Sequence, residues 1–349
     1  MNTHSIAGAE DVAEHAPSVY CSRVTRMKAI VATHWCEPRD LEYIEIPTPT
    51  PGPADVLIDV KAIGCNFPDI LIVQGKYQKR PPLPFVPGCE VAGVVRGCGS
   101  SVTRVKPGDR VFALTGVGAY AEAVVVPERQ AYVVPPALDL DEGAAFGLVY
   151  QTTYCALVHR AGLRAGEWLL VHGAAGGVGI AAVQLGKALG ARIIATAGTP
   201  EKLGVARQAG AEVLINYRTD DWVARVKEIT GGGADVIYDP VGGDIFDGSS
   251  KCIAFEGRLL VIGFAGGRIP EITANRILLK NISILGVHWG LYQEHGSPLV
   301  EHWMTALLDL VATGQVRPVI YKRFPLAHAA EALAAIASRE SYGKVVLNP

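Results

Sequence analysis

The sequence predicts an α/β protein in which a β-rich part is followed by a doubly wound parallel sheet. From Met27 onwards, short apolar segments are separated by glycine and proline, which is typical of strands joined by turns. From about residue 151, strand-like and helix-like segments alternate, as they do when helices cover both faces of a parallel sheet. A glycine-rich turn, Gly173–Gly179, separates the first strand of that alternation from its first helix.

Length and composition limit the class of protein. At 349 residues the chain exceeds the usual size of one domain, so we expect two. A composition of 49% hydrophobic and 19% charged residues is typical of a well-packed enzyme, and a net charge of −2 attracts neither nucleic acid nor an anionic membrane. No apolar run reaches the roughly 18 residues that span a bilayer. Seven cysteines without a C-x-x-C pair indicate reduced thiols in a cytosolic protein.

Residues 1–26 differ from the rest of the chain. They contain acidic residues and few arginines, show no sustained periodicity, and lack the apolar segment of a secretory signal. We therefore expect a loosely ordered extension, with Met27 as the start of the fold.

The first folded part is predicted to be β-rich. Residues 47–53 contain four prolines, which cannot donate regular ladder hydrogen bonds, so we expect an extended surface loop there. The predicted strands are Met27–Thr33, Leu41–Ile46, Val56–Gly64, Val91–Val95, Arg110–Ala113 and Tyr120–Val126.

The second part begins with a helical pattern at Asp141–Gly162. The predicted strands after it are Trp168–His172, Arg192–Thr196, Val213–Asn216, Asp235–Asp239, Arg258–Ile262 and Ile282–Val287. The predicted helices are Ile180–Leu189, Glu201–Ala209, Asp220–Thr230, Leu299–Thr313 and Leu326–Ser338. We expect the last strand, Lys344–Leu347, to return to the first domain.

The turn after Trp168–His172 predicts a dinucleotide site. Gly173, Gly176 and Gly179 have the spacing G-x-x-G-x-x-G between a strand and a helix. Glycine lets the backbone approach a pyrophosphate, and the helix N-terminus offers N–H groups to the phosphates. The predicted cofactor-binding residues of this turn are Gly173, Ala174, Gly176, Gly177, Val178 and Gly179.

The end of the next strand predicts which dinucleotide binds. Sites that prefer NAD place a carboxylate about 20 residues after the glycines, whereas this chain has Ala197, followed by Gly198. Lys202 lies one helical turn further on, and Tyr217-Arg218 ends the following strand. These residues favour NADPH; the alternative is that Lys202 is a solvated helix residue and Glu201 binds the ribose.

These features together resemble the medium-chain dehydrogenase/reductase superfamily, and within it the zinc-free quinone oxidoreductases related to zeta-crystallin. The resemblance covers Met27 to Pro349. Beyond the glycine turn it is carried by Gly64–Asp69 (GCNFPD), Pro87–Val95 (PGCEVAGVV), Val105–Val111 (VKPGDRV), Ile215–Arg218 (INYR), Tyr238–Gly243 (YDPVGG) and Gly343–Val346 (GKVV).

The resemblance implies a GroES-like β-rich catalytic domain that is split in sequence around the Rossmann domain. The expected boundaries are 1–26 for the extension, 27–150 for the first part of the catalytic domain, 151–288 for the NADPH-binding domain and 289–349 for the return. It also implies a homodimer joined through the apolar edge strand Ile282–Val287.

Zinc is not expected. Comparison with the zinc-dependent alcohol dehydrogenases of the superfamily puts Asn66, Cys89 and Leu148 at the three ligand positions. Asparagine is a poor zinc ligand and leucine is none, while a catalytic zinc needs three protein ligands. The structural site of those enzymes needs four cysteines, and only Cys98 follows Val95 in that segment.

Two residues are candidates for the chemistry. By resemblance, Asn66 faces the nicotinamide ribose and the substrate; the alternative is a turn residue that caps the next helix. Tyr77 matches a cleft tyrosine of related reductases, where a phenol can protonate the enolate that hydride transfer leaves behind. The alternative is a surface or substrate-stacking tyrosine.

Further residues are expected near the nicotinamide because they end successive strands, where ligands of such sheets bind. They are Gly242, Gly263, Phe264 and His288; Lys344, in the GKVV motif, completes the predicted cofactor-binding set.

The function expected from this resemblance is an NADPH-dependent reduction of quinones or α,β-unsaturated carbonyl compounds without metal. The partner is a small electron-poor acceptor. One alternative is an enoyl-CoA reductase, for which Lys76, Lys79 and Arg80 are either a basic access route or a solvated loop. Another is an NADPH-binding protein with little turnover.

Overall fold

The computed structural model describes residues 25–349. The predicted extension 1–26 therefore lies almost entirely outside the described residues. The strands of the first part are β1 (Arg26–Val31), β2 (Glu42–Pro47), β3 (Asp55–Cys65), β4 (Glu90–Cys98), β5 (Arg110–Leu114), β6 (Ala123–Pro127) and β7 (Ala131–Val133). Those of the second part are β8 (Trp168–Val171), β9 (Arg192–Ala197), β10 (Val213–Asn216), β11 (Ala234–Asp239), β12 (Ile253–Val261) and β13 (Ser283–Gly286), and the chain ends with β14 (Ile320–Pro325) and β15 (Lys344–Asn348).

Helices connect these strands. The helices before β8 are α1 (Phe67–Val73), α2 (Leu140–Ala144) and α3 (Gly147–Tyr154), which continues into a π-helical turn at Cys155–Arg160. Those between β8 and β13 are α4 (Gly177–Ala188), α5 (Pro200–Ala209), α6 (Trp222–Thr230), α7 (Gly243–Cys252) and α8 (Ala274–Lys280). After β13 come α9 (Trp289–Glu294), α10 (Leu299–Ala312) and α11 (Ala329–Ala337).

The first sheet contains the β-rich part together with the end of the chain. Its order is β14-β15-β3-β4-β5-β7, and β6 also pairs with β3, while β1 and β2 form a separate antiparallel pair. β15 runs antiparallel to β3, with Val345 opposite Cys65. The return of the last strand to the first domain is thereby confirmed, as is the GroES-like fold class. The boundaries 27–150, 151–288 and 289–349 stay a prediction.

The second sheet is the expected doubly wound one. Six parallel strands lie in the order β10-β9-β8-β11-β12-β13, so the order reverses between β8 and β11. α4 and α5 cover one face and α6 and α7 the other, with separate apolar clusters against Leu169 and Leu170. Ligands of such sheets bind beyond the carboxyl ends of the strands, at the reversal.

Several elements differ from the sequence prediction. The single helical pattern at Asp141–Gly162 is broken into α2, α3 and the π turn, and the strand predicted from Tyr120 begins only at Ala123. The elements that were not predicted are β7, β14, α1, α7, α8 and α9, most of which are short or begin next to proline or glycine. No helix within residues 25–349 combines the length and the apolar character needed to cross a bilayer.

Candidate active site

One cleft of 1820 Å³ runs between the two domains. Cofactor and substrate pockets commonly measure about 300–1,000 Å³, so this cleft has room for more than one ligand. It is lined by the ends of β8, β9, β12 and β13, and on the other side by α1, the loop after it, and Cys89. Thirteen of the sixteen predicted site residues line it: Asn66, Tyr77, Gly173, Gly176, Gly177, Val178, Gly198, Lys202, Tyr217, Gly263, Phe264, His288 and Lys344.

The glycine turn has the shape of a phosphate cradle. Gly173 has a φ of +57°, which favours glycine, and its carbonyl accepts a hydrogen bond of 2.9 Å from the Gly176 amide. α4 then begins at Gly177, directly at the cleft, so its first N–H groups are available to an anion. The residues present therefore fit the pyrophosphate of a dinucleotide.

Three predicted residues, Ala174, Gly179 and Gly242, do not line the cleft, and their contact with a cofactor stays a prediction. A Cβ on Gly179 would lie 2.2 Å from the Gly173 carbonyl oxygen, so this glycine permits close packing of α4 against the turn. Ala174 is fully buried and donates its amide to the Thr196 carbonyl. Gly242 donates its amide to the Asp239 carboxylate, with a φ of +71°. These residues shape the site from behind.

Cations gather at the end of β9, where a carboxylate is absent. Lys202 Nζ donates to the Arg339 carbonyl at 2.5 Å, and a Cβ on Gly198 would lie 3.0 Å from Arg218 Nε. Burial, followed by the nearby Arg218, lowers the pKa of Lys202. Arg218, which directly follows Tyr217, was noted from the sequence but not included among the predicted site residues. Arg339 was not predicted, because it comes from a distant part of the chain.

Asn66 is held in place by two charged groups. Lys344 Nζ donates to Asn66 Oδ1 at 2.5 Å, and Asn66 Nδ2 donates to Glu90 Oε1 at 2.9 Å and to the Gly64 carbonyl at 3.2 Å. Lys344 also donates to Glu90, and all three side chains are buried. Both the donor and the acceptor of the Asn66 side-chain amide therefore have protein partners, and its contact with the ribose and substrate stays a prediction. Asn66 does stand at the N-cap of α1, but its amide is turned towards Lys344.

Behind Asn66 lies a second set of buried polar groups. Asp69 Oδ2 accepts from the backbone N–H of Asn66 at 2.8 Å and from the Tyr120 hydroxyl at 3.0 Å. Burial raises the pKa of Asp69 to about 6. The Cys89 thiol donates to Asp69 Oδ1 at 3.6 Å, and burial, then the charge of Asp69, raises its pKa well above the usual value.

The donor set does not fit a catalytic zinc ion. Of the three ligand positions, Asn66 is engaged by Lys344 and Glu90, Cys89 donates to Asp69, and Leu148 has no donor atom. In the part of the chain that the structure describes, no three His, Cys, Asp or Glu side chains are grouped so that they could hold a metal.

Tyr77 lies on the opposite wall of the cleft. Its ring packs beside Ile72 and Phe85, and within residues 25–349 its hydroxyl makes no hydrogen bond to another protein group. Burial, then the nearby Cys89 and Asp69, raises the pKa of Tyr77, so the phenol stays protonated at neutral pH. A protonated, unengaged hydroxyl can donate to a ligand.

Two histidines border the cleft in different roles. His288 lines it as predicted, but its Nδ1 accepts from the Leu291 amide and caps α9. His172, which the sequence pattern did not single out, lies between Thr196 and Ser249 at 3.0 Å from each hydroxyl. Burial lowers the pKa of His172 to about 3. It lies directly between β8 and the glycine turn, and that position was the available signal.

Comparisons with known proteins agree with this geometry. The family described as "Alcohol dehydrogenase GroES-like domain" matches residues 52–136, and the one described as "Zinc-binding dehydrogenase" matches residues 177–308. Quinone oxidoreductase-like protein 2 of Bos taurus is 40% identical, over 87% of this chain and 88% of its own length. Human quinone oxidoreductase is 36% identical, over 82% of this chain and 87% of its own length.

Solved structures show the same similarity. The crystal structure of Escherichia coli quinone oxidoreductase complexed with NADPH superposes with a TM-score of 0.85 at 32% identity, over 92% of this chain and all of the other. The identity, the coverage and the two matching domain families lead to one assignment. The chain belongs to the quinone oxidoreductase, zeta-crystallin-like branch of the medium-chain dehydrogenase/reductase superfamily.

Proposed function

We propose that this protein is an NADPH-dependent reductase of quinones or α,β-unsaturated carbonyl compounds that transfers hydride without a metal ion. The observation that carries the proposal is one cleft with a phosphate cradle and a cation cluster at one end and an unengaged phenol at the other. Three structures of related quinone oxidoreductases that contain NADPH support it.

In this proposal, the cofactor is held by charge and backbone. The first amides of α4 bind the pyrophosphate, while Lys202, Arg218 and Arg339 bind the 2′-phosphate. NADPH, when bound, supplies the hydride. Lys344 keeps the Asn66 amide in a single orientation beside the reacting centre and brings a positive charge to that wall of the cleft.

At the acceptor end, Tyr77 donates a proton. An acceptor that receives a hydride gains two electrons and a negative charge, and one proton then completes the reduced product. The Tyr77 hydroxyl supplies that proton and recovers it from solvent. Because Asn66, Cys89 and Leu148 do not form a zinc site, the chemistry requires an acceptor that is already electron-poor.

Oxidation of NADPH in the presence of an acceptor panel of quinones and enones tests this function. We expect turnover of members of both classes, no loss of activity with chelators, and far less than one zinc ion per chain by elemental analysis. Tight NADPH binding without turnover of any acceptor would contradict the proposal, and so would stoichiometric zinc with chelator-sensitive turnover.

Titration calorimetry tests the choice of cofactor. We expect NADPH to bind at least about tenfold more tightly than NADH, or about 1.4 kcal/mol. Lys202→Ala should weaken binding of NADPH and leave binding of NADH almost unchanged, because only NADPH carries the 2′-phosphate. Equal affinities for the two cofactors in the unmodified protein would contradict the assignment of the cation cluster.

We also infer that the chain forms a homodimer. β13 is the edge strand of the second sheet, and an exposed edge is an association hazard unless it is covered. Large apolar side chains are exposed beside it: Phe255 (68%), Ile269 (68%), Leu278 (75%) and Leu279 (78%). A two-fold copy would cover both the edge and this apolar patch.

A further inference from the structure

The cleft is strongly cationic, although the whole chain is slightly acidic. Among the described residues, seven lysine and arginine side chains line the cleft, against a single carboxylate, Glu294. The chain as a whole carries a net charge of −2. Because low-dielectric walls concentrate the field of such groups, the cleft attracts anions.

Four of the seven cations are accounted for. Lys202 and Arg339 lie at the cofactor phosphate end, and Lys344 is paired with Glu90. Lys79 Nζ lies 2.6 Å from Glu294 Oε1, so the carboxylate that lines the cleft is neutralised. The other three, Arg80, Arg129 and Arg160, make no ion pair and no side-chain hydrogen bond to another residue within 25–349.

Contacts of their neighbours bring two of these arginines, Arg80 and Arg160, to α9, and Arg129 lines the same cleft. The Lys79–Glu294 ion pair joins the segment that contains Arg80 to the end of α9. The His159 and Tyr292 rings, 5.5 Å apart, join the segment that contains Arg160 to the same helix. We call Arg80, Arg129 and Arg160, with the loop residues Gly116 and Val117, the acceptor mouth.

Local backbone geometry directs two of them into the cleft. In the π turn, residues five apart share a face, so Arg160 lies on the side of Cys155, whose neighbours include Trp289 of α9. Arg129 lies in the 3-10 turn Glu128–Gln130 that precedes β7, and it lines the cleft together with Gly116 and Val117 of the loop after β5. A π turn at a ligand cleft is a common functional feature.

We propose that the acceptor carries a negatively charged group remote from its reducible bond, and that Arg80, Arg129 and Arg160 bind this group. This inference rests on the proposed function and names the substrate class of the same site. Arginine suits the role, because its planar donors match carboxylate, sulfonate and phosphate oxygens. Of the residues considered for a basic access route, Lys79 and Arg80 line the cleft and Lys76 does not.

The test compares two quinones that differ by one charge, phenanthrenequinone and phenanthrenequinone sulfonate, at saturating NADPH. We expect kcat/KM to be at least about tenfold higher for the sulfonate. Since the sulfonate also makes the ring more electron-poor, salt is the control. The preference should fall severalfold between about 20 mM and about 500 mM salt, where the Debye length shrinks from about 20 Å to a few Å.

Substitutions of the three arginines test whether the preference for the sulfonate arises at the acceptor mouth. Each of Arg80→Gln, Arg129→Gln and Arg160→Gln should lower the sulfonate-to-neutral ratio of kcat/KM about threefold, and the triple variant should lower it at least about tenfold. Arg207→Gln is the matched control, because Arg207 is exposed on α5 outside the cleft. The inference is overturned if the sulfonate-to-neutral ratio of kcat/KM is near one in the unmodified protein, or if the triple variant leaves that ratio unchanged. In either case, turnover of the neutral quinone still upholds the proposed function.

A binding experiment covers the case in which no quinone is reduced, which would contradict the proposed function itself. Naphthalene sulfonate should bind the NADP⁺-saturated protein more tightly than naphthol, and the triple variant should abolish the difference. Equal binding of the two overturns the inference. The source of the anion is identified by measuring turnover of crotonyl-CoA with free coenzyme A added as an inhibitor. Competition between coenzyme A and crotonyl-CoA indicates a thioester carrier, and no competition indicates a small anionic quinone.

Discussion

At the scale of single residues, the proposed acceptor site combines a side-chain amide, Asn66, whose hydrogen bonds are all made to protein groups with a phenol, Tyr77, whose hydroxyl makes none in the described part of the chain. Asn66 Oδ1 accepts a hydrogen bond from Lys344, and Asn66 Nδ2 donates one to Glu90. The Tyr77 hydroxyl makes no hydrogen bond to a protein group within residues 25–349. A group whose hydrogen bonds are already satisfied positions its neighbours, while an unsatisfied donor can act on a ligand. This contrast supports the proposal that Tyr77 donates the proton and that Asn66 acts as a positioning residue.

Replacement of Tyr77 by phenylalanine tests this assignment, because the ring stays and only the donor is lost. Turnover of an enone should fall about 10²-fold or more, the usual contribution of a general acid. Turnover of benzoquinone should fall much less, because a hydroquinone anion is stable enough to collect its proton from water. An equal loss on both substrates would mean that Tyr77 positions the acceptor, and no loss on either would make it a bystander.

His172 predicts how stability depends on pH. Its pKa is about 3 in the folded protein and about 6.5 in an unfolded chain. Between those values the unfolded chain binds a proton that the folded protein excludes, so the free energy of unfolding falls as the pH is lowered from about 6.5 towards 3. The full slope from this one group is about 1.4 kcal/mol per pH unit.

Urea unfolding at a series of pH values checks this slope. In His172→Gln, the free energy of unfolding should depend less steeply on pH, by an amount that corresponds to up to one proton. His302→Gln, on the exposed face of α10, should match the unmodified protein. Asp69 acts with the opposite sign, because its raised pKa stabilises the folded state as the pH falls from about 6 to about 4, but it is present in all three proteins and cancels in the comparison. Identical slopes for all three proteins would contradict the prediction.

At the scale of elements, the function depends on how closely α4 approaches the turn after β8. A Cβ on Gly179 would lie 2.2 Å from the Gly173 oxygen and 2.8 Å from the Ala174 Cα, both backbone atoms that cannot move aside alone. Accommodating one methyl group therefore requires α4 to shift, and with it the amides of the proposed pyrophosphate cradle.

Gly179→Ala should accordingly lower the free energy of unfolding by about 1–3 kcal/mol and weaken NADPH binding at least about tenfold. Gly204→Ala is the matched control: Gly204 lies within α5, has no atom within 4 Å of the added methyl, and should gain helix stability. Thermal unfolding and calorimetry measure both effects. Unchanged NADPH affinity in Gly179→Ala would contradict the proposed cradle.

At the scale of the whole molecule, the unpaired edge of the second sheet predicts assembly. Light scattering at micromolar concentration should return twice the chain mass of 37.0 kDa. Leu279→Glu should place a charge in the apolar patch beside β13 and yield monomers, whereas Val133→Glu, at a site that is 53% exposed on the first sheet, should leave the dimer intact. A mass near that of one chain for the unmodified protein would contradict the prediction.

Much of the fold follows from local patterns. The doubly wound sheet could be predicted because each strand, turn and helix has its own periodicity and turn residues, and β10 was predicted with the bounds Val213–Asn216 that the structure has. The phosphate cradle could be predicted for the same reason, since strand, glycines and helix are consecutive in sequence. Short elements such as β7 and α1 were missed because few residues carry their pattern.

What the sequence determined by itself is therefore the class of each segment, the glycine turn, the alanine that ends β9 in place of a carboxylate, and the residue types at the three zinc-ligand positions. Only the tertiary structure decided which distant side chains share the cleft. Arg339 and Lys202 are hydrogen-bonded although they lie 137 residues apart in the sequence, and Lys344 and Asn66 are hydrogen-bonded although they lie 278 residues apart. Both hydrogen bonds depend on the pairing of β15 with β3, because this pairing brings the end of the chain to the cleft. Contacts of that kind have no local pattern, because they arise from how whole elements pack and not from the spacing of neighbouring residues.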